Sequence, residues 1–408
     1  MLKKSVTTPR GAFIVLSILM FFFSAQVSLT VYVNSSFLKD TIINTPTLMA
    51  MKLWSNPDHM VGTVYTLASL ITILGLSYTP RILRRIGNYR WTLSLFILHI
   101  FLLLLLALSN NGLLIIPLFV VESALVSILY FNFDIFLERY STNEHTGVIR
   151  GLFLTTSSVS WLLPPMIAGH IIENSGFSLV YFFAAIILIP IVFILMRYMS
   201  DFNDLAYDDA PLFPSKKIIK ANPHVWGGMA SAFFLQFFYA WMVIYIPILL
   251  HDQIGFSWGD IGFMMTLVLT AFVIFPSPAG WLADKYIGEK ELMVLGFLLM
   301  GITSFLIPTL VLNSSSFVAW VIILFIGRIG ASIVESMTET YFFKQIDGRD
   351  AGLIGYFRRM YPLAFIVAPL LASFLLQFEW VNITQLFSIL GTIMFAAIYF
   401  PLRLKDTL

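Results

Sequence analysis

The sequence predicts an all-α membrane protein with twelve transmembrane helices in two six-helix bundles. Three observations carry this. Of the 408 residues, 59% are hydrophobic and only 11% are charged, against roughly 45–50% and about 25% in soluble domains. The apolar residues fall in runs of about 20, the length needed to cross a bilayer as helix. The longest polar stretch lies in the middle of the chain and divides those runs into two sets of six. A water-soluble globular domain and a disordered chain are both excluded. The net charge of +2 leaves no electrostatic footprint for nucleic acid. With no cysteine there is no disulfide framework, iron–sulfur site or thiolate zinc site.

The spans follow in order. Span 1 (11–33) is too long for a cleaved leader and lacks a small-residue cleavage site, so it reads as retained. Span 2 (60–79) runs into a basic connection with Arg81, Arg84, Arg85 and Arg90. Span 3 (91–109) and span 4 (113–136) follow, the latter carrying Glu122 and ending near Asp134 and Arg139. Span 5 (151–172) contains Pro164 and Pro165, and span 6 (177–196) stops at Arg197. The stretch 198–224, acidic at first and then basic at Lys216, Lys217 and Lys220, reads as a linker. Span 7 (225–250) carries Gln236, Tyr239, Trp241 and Tyr245, and span 8 (261–281) leads to Asp284 and Lys285. Spans 9 (292–312), 10 (316–342), 11 (353–377) and 12 (382–401) complete the set. The expected division is therefore a bundle over 1–197, a linker over 198–224 and a bundle over 225–408.

Nineteen of the 24 Lys and Arg residues fall in connections on one side, and only Lys39 and Lys52 fall on the other. By the positive-inside rule both termini and the linker face the cytoplasm. The expected location is multi-pass in the cell membrane.

The halves repeat one another. Leu83-Arg84-Arg85-Ile86-Gly87 after span 2 answers Ala283-Asp284-Lys285-Tyr286-Ile287-Gly288 after span 8. Asp134 and Arg139 answer Glu339 and Lys344, both at an offset of 205. Gly151 and Pro165 answer Gly355 and Pro369, both at an offset of 204. On these residues the chain resembles the major facilitator superfamily. Gly280-Trp281-Leu282-Ala283-Asp284-Lys285, with Gly288 and Lys290, is similar to that family's loop signature. The first-half copy departs from it, with Arg84 where the family usually has Asp. Gly327-Arg328-Ile329-Gly330-Ala331 resembles the family's arginine motif, and Glu122 stands at the equivalent arginine position of the first half. Gly151, Pro165 and Gly169 match a span-5 motif seen in proton-driven exporters, with Ser160 and Ala168 as small substitutes.

The resemblance implies two bundles that rock about a cavity lined by spans 1, 4, 7 and 10. It also implies a gate in which Asp284 meets the start of span 5 near 147–150. Arg84, unable to do the same at span 11, is expected to pair with Asp350. Lys285, Asp134, Glu339, Arg358 and Arg359 complete the expected gating charges, with both arginines near Glu339.

Ionisable residues at bilayer depth cost about 2.5–3.5 kcal/mol each on insertion scales and need a reason. Arg328, Ser332, Glu335 and Glu339 share one face of span 10, and Glu122 lies near the middle of span 4. Desolvation favours a neutral carboxyl and a nearby cation favours its ionised form, so Glu122 or Glu335 suits a proton carrier. The alternative is a structural pair between Arg328 and Glu335. Gln26, Gln236, Tyr239 and Trp241 supply polar and aromatic walls for an organic solute. His99 and His170 read as hydrogen-bonded packing residues.

The expected function is secondary active transport of a small organic solute by a monomer. It is coupled to protons, needs no cofactor and leans towards export of a hydrophobic or amphipathic compound. Proton-coupled uptake of a polar or anionic solute, with Arg328 as counter-ion, is the alternative. A second class is a membrane-embedded prenyl-type transferase, since Asn203-Asp204-Leu205-Ala206-Tyr207-Asp208 has the look of a Mg²⁺-binding motif. It has one copy, in the linker. Zinc, nucleotide-loop and nucleophile-elbow motifs are absent from the sequence.

Overall fold

In lipid every backbone N–H and C=O must be satisfied within its own segment, so the apolar runs become helices. The computed structural model describes residues 9–49, 56–140, 156–204, 223–313, 316–345, 351–378 and 380–405. Among them, eleven helices are long and apolar enough to cross a membrane. Span 1 is Pro9–Val31, span 2 Pro57–Ile86, span 3 Asn88–Leu108, span 4 Gly112–Tyr140 and span 6 Phe177–Tyr198. Span 7 is Pro223–Ile248, continued by a π-helical turn over Leu249–Ile254. Span 9 is Glu289–Asn313 and span 10 is Phe317–Gln345.

The remaining spans are interrupted where proline removes backbone donors. Span 5 is helical over 156–160, turns at 161–163 and resumes as Pro164–Ser175, because two prolines begin the new helix. Span 8 is Trp258–Leu269, Ala271–Ile274 and Pro276–Leu282, followed by a π-helical turn over Ala283–Ile287. Span 11 divides into Ala351–Arg358 and Met360–Leu375, and span 12 into Ile383–Ala397 and Tyr399–Leu402. The connection after span 1 holds two further helices, Asn34–Ile43 and Pro46–Met49, which hydropathy alone did not reveal. The Tyr181 hydroxyl donates to Asn34 Oδ1 at 2.7 Å and ties the first of them to span 6.

The chain forms two compact units. The first comprises Met1–Ser55, Leu67–Asp209 and Ser257–Thr266, and the second Asn56–Thr66, Ala210–Phe256 and Leu267–Leu408. Spans 2 and 8 are thus each shared between units. Within the first unit span 3 packs against spans 4 and 6, and span 1 against span 6. Within the second, span 9 packs against spans 10 and 12, and span 7 against span 12. These are the same pairs, six spans on.

The loop repeat has a backbone counterpart. Gly87 (φ 80°, ψ 158°) precedes span 3 and Gly288 (φ 86°, ψ 161°) precedes span 9. Both lie where a Cβ is disfavoured, so glycine is required at each copy. Glycine acts differently between spans 9 and 10. A Cβ on Gly296 would come within 2.6 Å of the Gly330 carbonyl, and the reverse holds too. Small residues let these backbones touch, and that contact fixes the helix that carries Arg328.

Candidate functional site

In the first unit, span 3 presents His99 to Glu122 of span 4. His99 Nε2 and Glu122 Oε1 share a hydrogen bond of 2.9 Å, with both side chains buried. His99 thus has the hydrogen bond expected of it, and its partner is Glu122. The wall is aromatic. Phe23 of span 1 lies edge-on to His99 at 6.4 Å, and it contacts Phe96, Tyr130 and Phe133. Direct contact with the imidazole offsets the cost of holding a carboxyl group in that wall. The other ring nitrogen, Nδ1, is buried and has no hydrogen-bond partner among the described residues. The same is true of both amide atoms of Gln26, whose side chain is fully buried. Close by in sequence, the Ser24 and Ser157 hydroxyls share a 2.9 Å hydrogen bond, and Ser28 donates to the Trp161 carbonyl at 2.9 Å.

In the second unit the charges are kept apart. Arg328 is 6% exposed, with its guanidinium carbon 5.9 Å from the Phe238 ring centre and 5.7 Å from that of Tyr239. It makes no ion pair among the described residues. The Tyr239 hydroxyl donates to Glu335 Oε2 at 3.1 Å. Tyr239 therefore contacts both Arg328 and Glu335, in place of the direct pair that was the alternative reading of the sequence. Two helical turns separate them by about 10 Å along the axis. At an effective dielectric of about 20 the attraction is about 1.5 kcal/mol, less than the cost of burying either charge. Arg358 Nη1 donates to Glu339 Oε1 at 2.9 Å, as expected, whereas Arg359 lies over the Tyr356 ring at 5.6 Å.

Other expected solute contacts separate in the structure. Gln236 is half-buried, and its Oε1 has no partner among the described residues. Trp241 is fully buried and donates from Nε1 to the Ala368 carbonyl at 2.7 Å, so it ties span 7 to span 11. His170, expected to pack, is exposed and beside Asn174.

At the loop after span 8 the π-helical turn carries Asp284 to Lys344, whose Nζ donates to Asp284 Oδ1 at 3.0 Å and also to Glu289. The contact observed for Asp284 is therefore internal to the second unit. Residues 147–150 and Asp350 lie outside the described residues. Lys285 sits over the Trp281 ring at 5.4 Å. Arg84 and Asp134 are exposed. Asp204 Oδ1 accepts from the backbone N–H of Asn88 at 2.7 Å and caps span 3. That structural task removes the first acid of the suspected Mg²⁺ motif, and the second, Asp208, lies outside the described residues.

The Major Facilitator Superfamily model matches residues 11–270 and again 254–407. The chain belongs to this superfamily. It is a multi-pass membrane protein of a transporter family. A bacterial homolog of the human lysosomal transporter Spinster, solved in an inward-facing and occupied conformation, has the same fold. Its TM-score is 0.68 at 11% identity, over 96% of this chain and 94% of that one. No curated protein sequence matches. Within this major facilitator fold, the contact that sequence reasoning missed is that of His99 with Glu122. Its one available signal was a lone imidazole in an apolar run, 23 residues before a carboxylate of the next span.

Proposed function

We propose that this protein is a proton-coupled secondary active transporter that exports a small organic solute of hydrophobic or amphipathic character. One observation carries the reading: the His99–Glu122 pair buried between spans 3 and 4. An imidazole and a carboxyl group in contact across two helices form a pair through which a proton can pass, as coupling requires. Gln26, whose amide has no hydrogen-bond partner among the described residues, is assigned to the solute path of the first unit. Gln236, Tyr239, Glu335 and Arg328 are assigned to that of the second. Asp284, Glu339 and Arg358, whose observed ion pairs lie within the second unit, are assigned with Lys285, Arg84, Asp134 and Arg359 to the loop gate that the family resemblance implies. The nineteen-to-two asymmetry of basic residues supports cytoplasmic termini.

The test uses liposomes loaded with pyranine and a series of amphipathic naphthalene derivatives: a sulfonate, a sulfonamide and a trimethylammonium. At least one member should drive a protein-dependent change of lumenal pH. Glu122→Gln should abolish that flux while solute binding stays measurable. Solute-driven proton flux that survives Glu122→Gln removes Glu122 from the coupling path. Solute movement indifferent to pH in the unmodified protein overturns proton coupling.

A further inference from the structure

We infer that the face of span 10 around Arg328 is a recognition site for an organic monoanion with an apolar body. The inference rests on the transport reading and names the solute class. Its basis is an imbalance of charge. Arg328 is buried at membrane depth, and its observed neighbours are the rings of Phe238 and Tyr239. Cation–π attraction to these rings recovers part of the burial cost, but it leaves the charge itself unneutralised. The carboxylates that follow on the same face have other tasks. Glu335 accepts from the Tyr239 hydroxyl and Glu339 from Arg358. The position thus offers a guanidinium with no carboxylate in contact.

The surroundings define what neutralises it. A guanidinium binds a carboxylate, sulfonate or phosphate through two parallel N–H donors. Two rings lie beside it, Phe238 and Tyr239, and Phe272 packs edge to face on Tyr239 at 6.0 Å. They suit a flat apolar body. Ser332, one turn beyond Arg328, donates to the Ala271 carbonyl of span 8 at 3.3 Å, which fixes the rotation of span 10 against that wall. Gln236, one turn before Tyr239 on span 7, leaves a buried amide oxygen without a protein partner, an acceptor for a hydroxyl or amide on the same solute. Charge number follows as well. The guanidinium of Arg358 is taken up by Glu339, and a second anionic group placed along this face would meet Glu335.

The test is binding to the full chain in detergent, with naphthalene-2-sulfonate as the probe. Its neutral sulfonamide and the naphthyl trimethylammonium are the controls. The sulfonate should bind at least tenfold tighter than either. Arg328→Gln should weaken it at least thirtyfold, and Arg328→Lys about tenfold. The lysine variant keeps the charge, so it serves as the folding control if the glutamine variant fails to assemble. Equal binding of the three probes, or sulfonate binding unchanged in both variants, overturns the inference, as does no sulfonate binding at all. Lipid discs separate two sources of the same chemistry. Competition by phosphatidylglycerol assigns the anion to a lipid headgroup, and its absence assigns it to a free solute; either supports an anion site. Arg328-dependent binding without proton flux sinks the transport reading alone. Proton flux driven only by the neutral or cationic probe sinks this inference alone.

Discussion

The two units handle buried charge in opposite ways. In the first, acid and base come from neighbouring spans and meet directly at 2.9 Å, inside a wall of Phe23, Phe96 and Phe133. In the second, cation and acid share one span and are kept apart by Tyr239, which turns its ring to Arg328 and its hydroxyl to Glu335. Glu122 of span 4 and Arg328 of span 10, spans that correspond in the repeat, bear opposite charges. An open cation in an aromatic wall is complete only with an anion beside it. On the proposed reading the first unit carries the proton-coupling pair and the second the site for an anionic group.

The largest effect that tests this division is at His99. Replacing it by leucine removes the one hydrogen-bond partner that Glu122 has among the described residues, and with it the contact proposed to pass the proton. Gradient-driven uptake into liposomes should fall at least tenfold. Equilibrium binding of naphthalene-2-sulfonate should stay within about twofold. A parallel loss of binding would break the division, since it would make both units part of one solute site. Thermal stability should fall modestly, because an interhelical hydrogen bond in a membrane is worth about 0.6 kcal/mol on average and at most about 1.7.

A smaller effect separates the two faces of Tyr239. Phenylalanine keeps the ring over Arg328 and loses one hydrogen bond, worth about 1 kcal/mol. Leucine loses both. Sulfonate affinity should change by less than about threefold in Tyr239→Phe and fall about tenfold in Tyr239→Leu, in keeping with the loss of one cation–π contact. Equal losses would mean that the hydroxyl, through Glu335, sets affinity.

Much of this was legible in the sequence. Hydropathy runs located the spans to within a few residues, because bilayer thickness fixes their length. The repeated glycines marked Gly87 and Gly288, which share one backbone conformation. Arg358 was paired with Glu339 from spacing near the ends of successive spans. What was not legible depended on which helix a face meets. Periodicity gives the face of Glu122 but not the identity of its neighbour, so His99 on another span went unassigned. Tyr239 was placed on a polar face of span 7, yet nothing local says that it lies between two residues of span 10. Interruption of span 5 at 161–163 was signalled by Pro164 and Pro165, but a run of hydropathy averages over it.

The smallest effect concerns charge outside the membrane core. Lys344 bridges two acids that differ in burial: the Asp284 side chain is 64% exposed and the Glu289 side chain 1%. Exposed ion pairs contribute about 0–1 kcal/mol, since water screens them and ordering a long lysine side chain costs entropy. A hydrogen bond to a charged group in a buried place contributes about 1.5–3 kcal/mol. Glu289→Gln should therefore lower the thermal unfolding midpoint clearly, and Asp284→Asn barely, because Lys344 keeps its buried partner. Transport gives the second reading. If Lys344 is the whole of Asp284's role, Asp284→Asn leaves proton flux within about twofold. If the loop aspartate also closes the cytoplasmic side against the start of span 5, flux changes far more than stability does. A large drop in the midpoint for Asp284→Asn, matching that of Glu289→Gln, would contradict the ranking by burial on which the comparison of the two units rests.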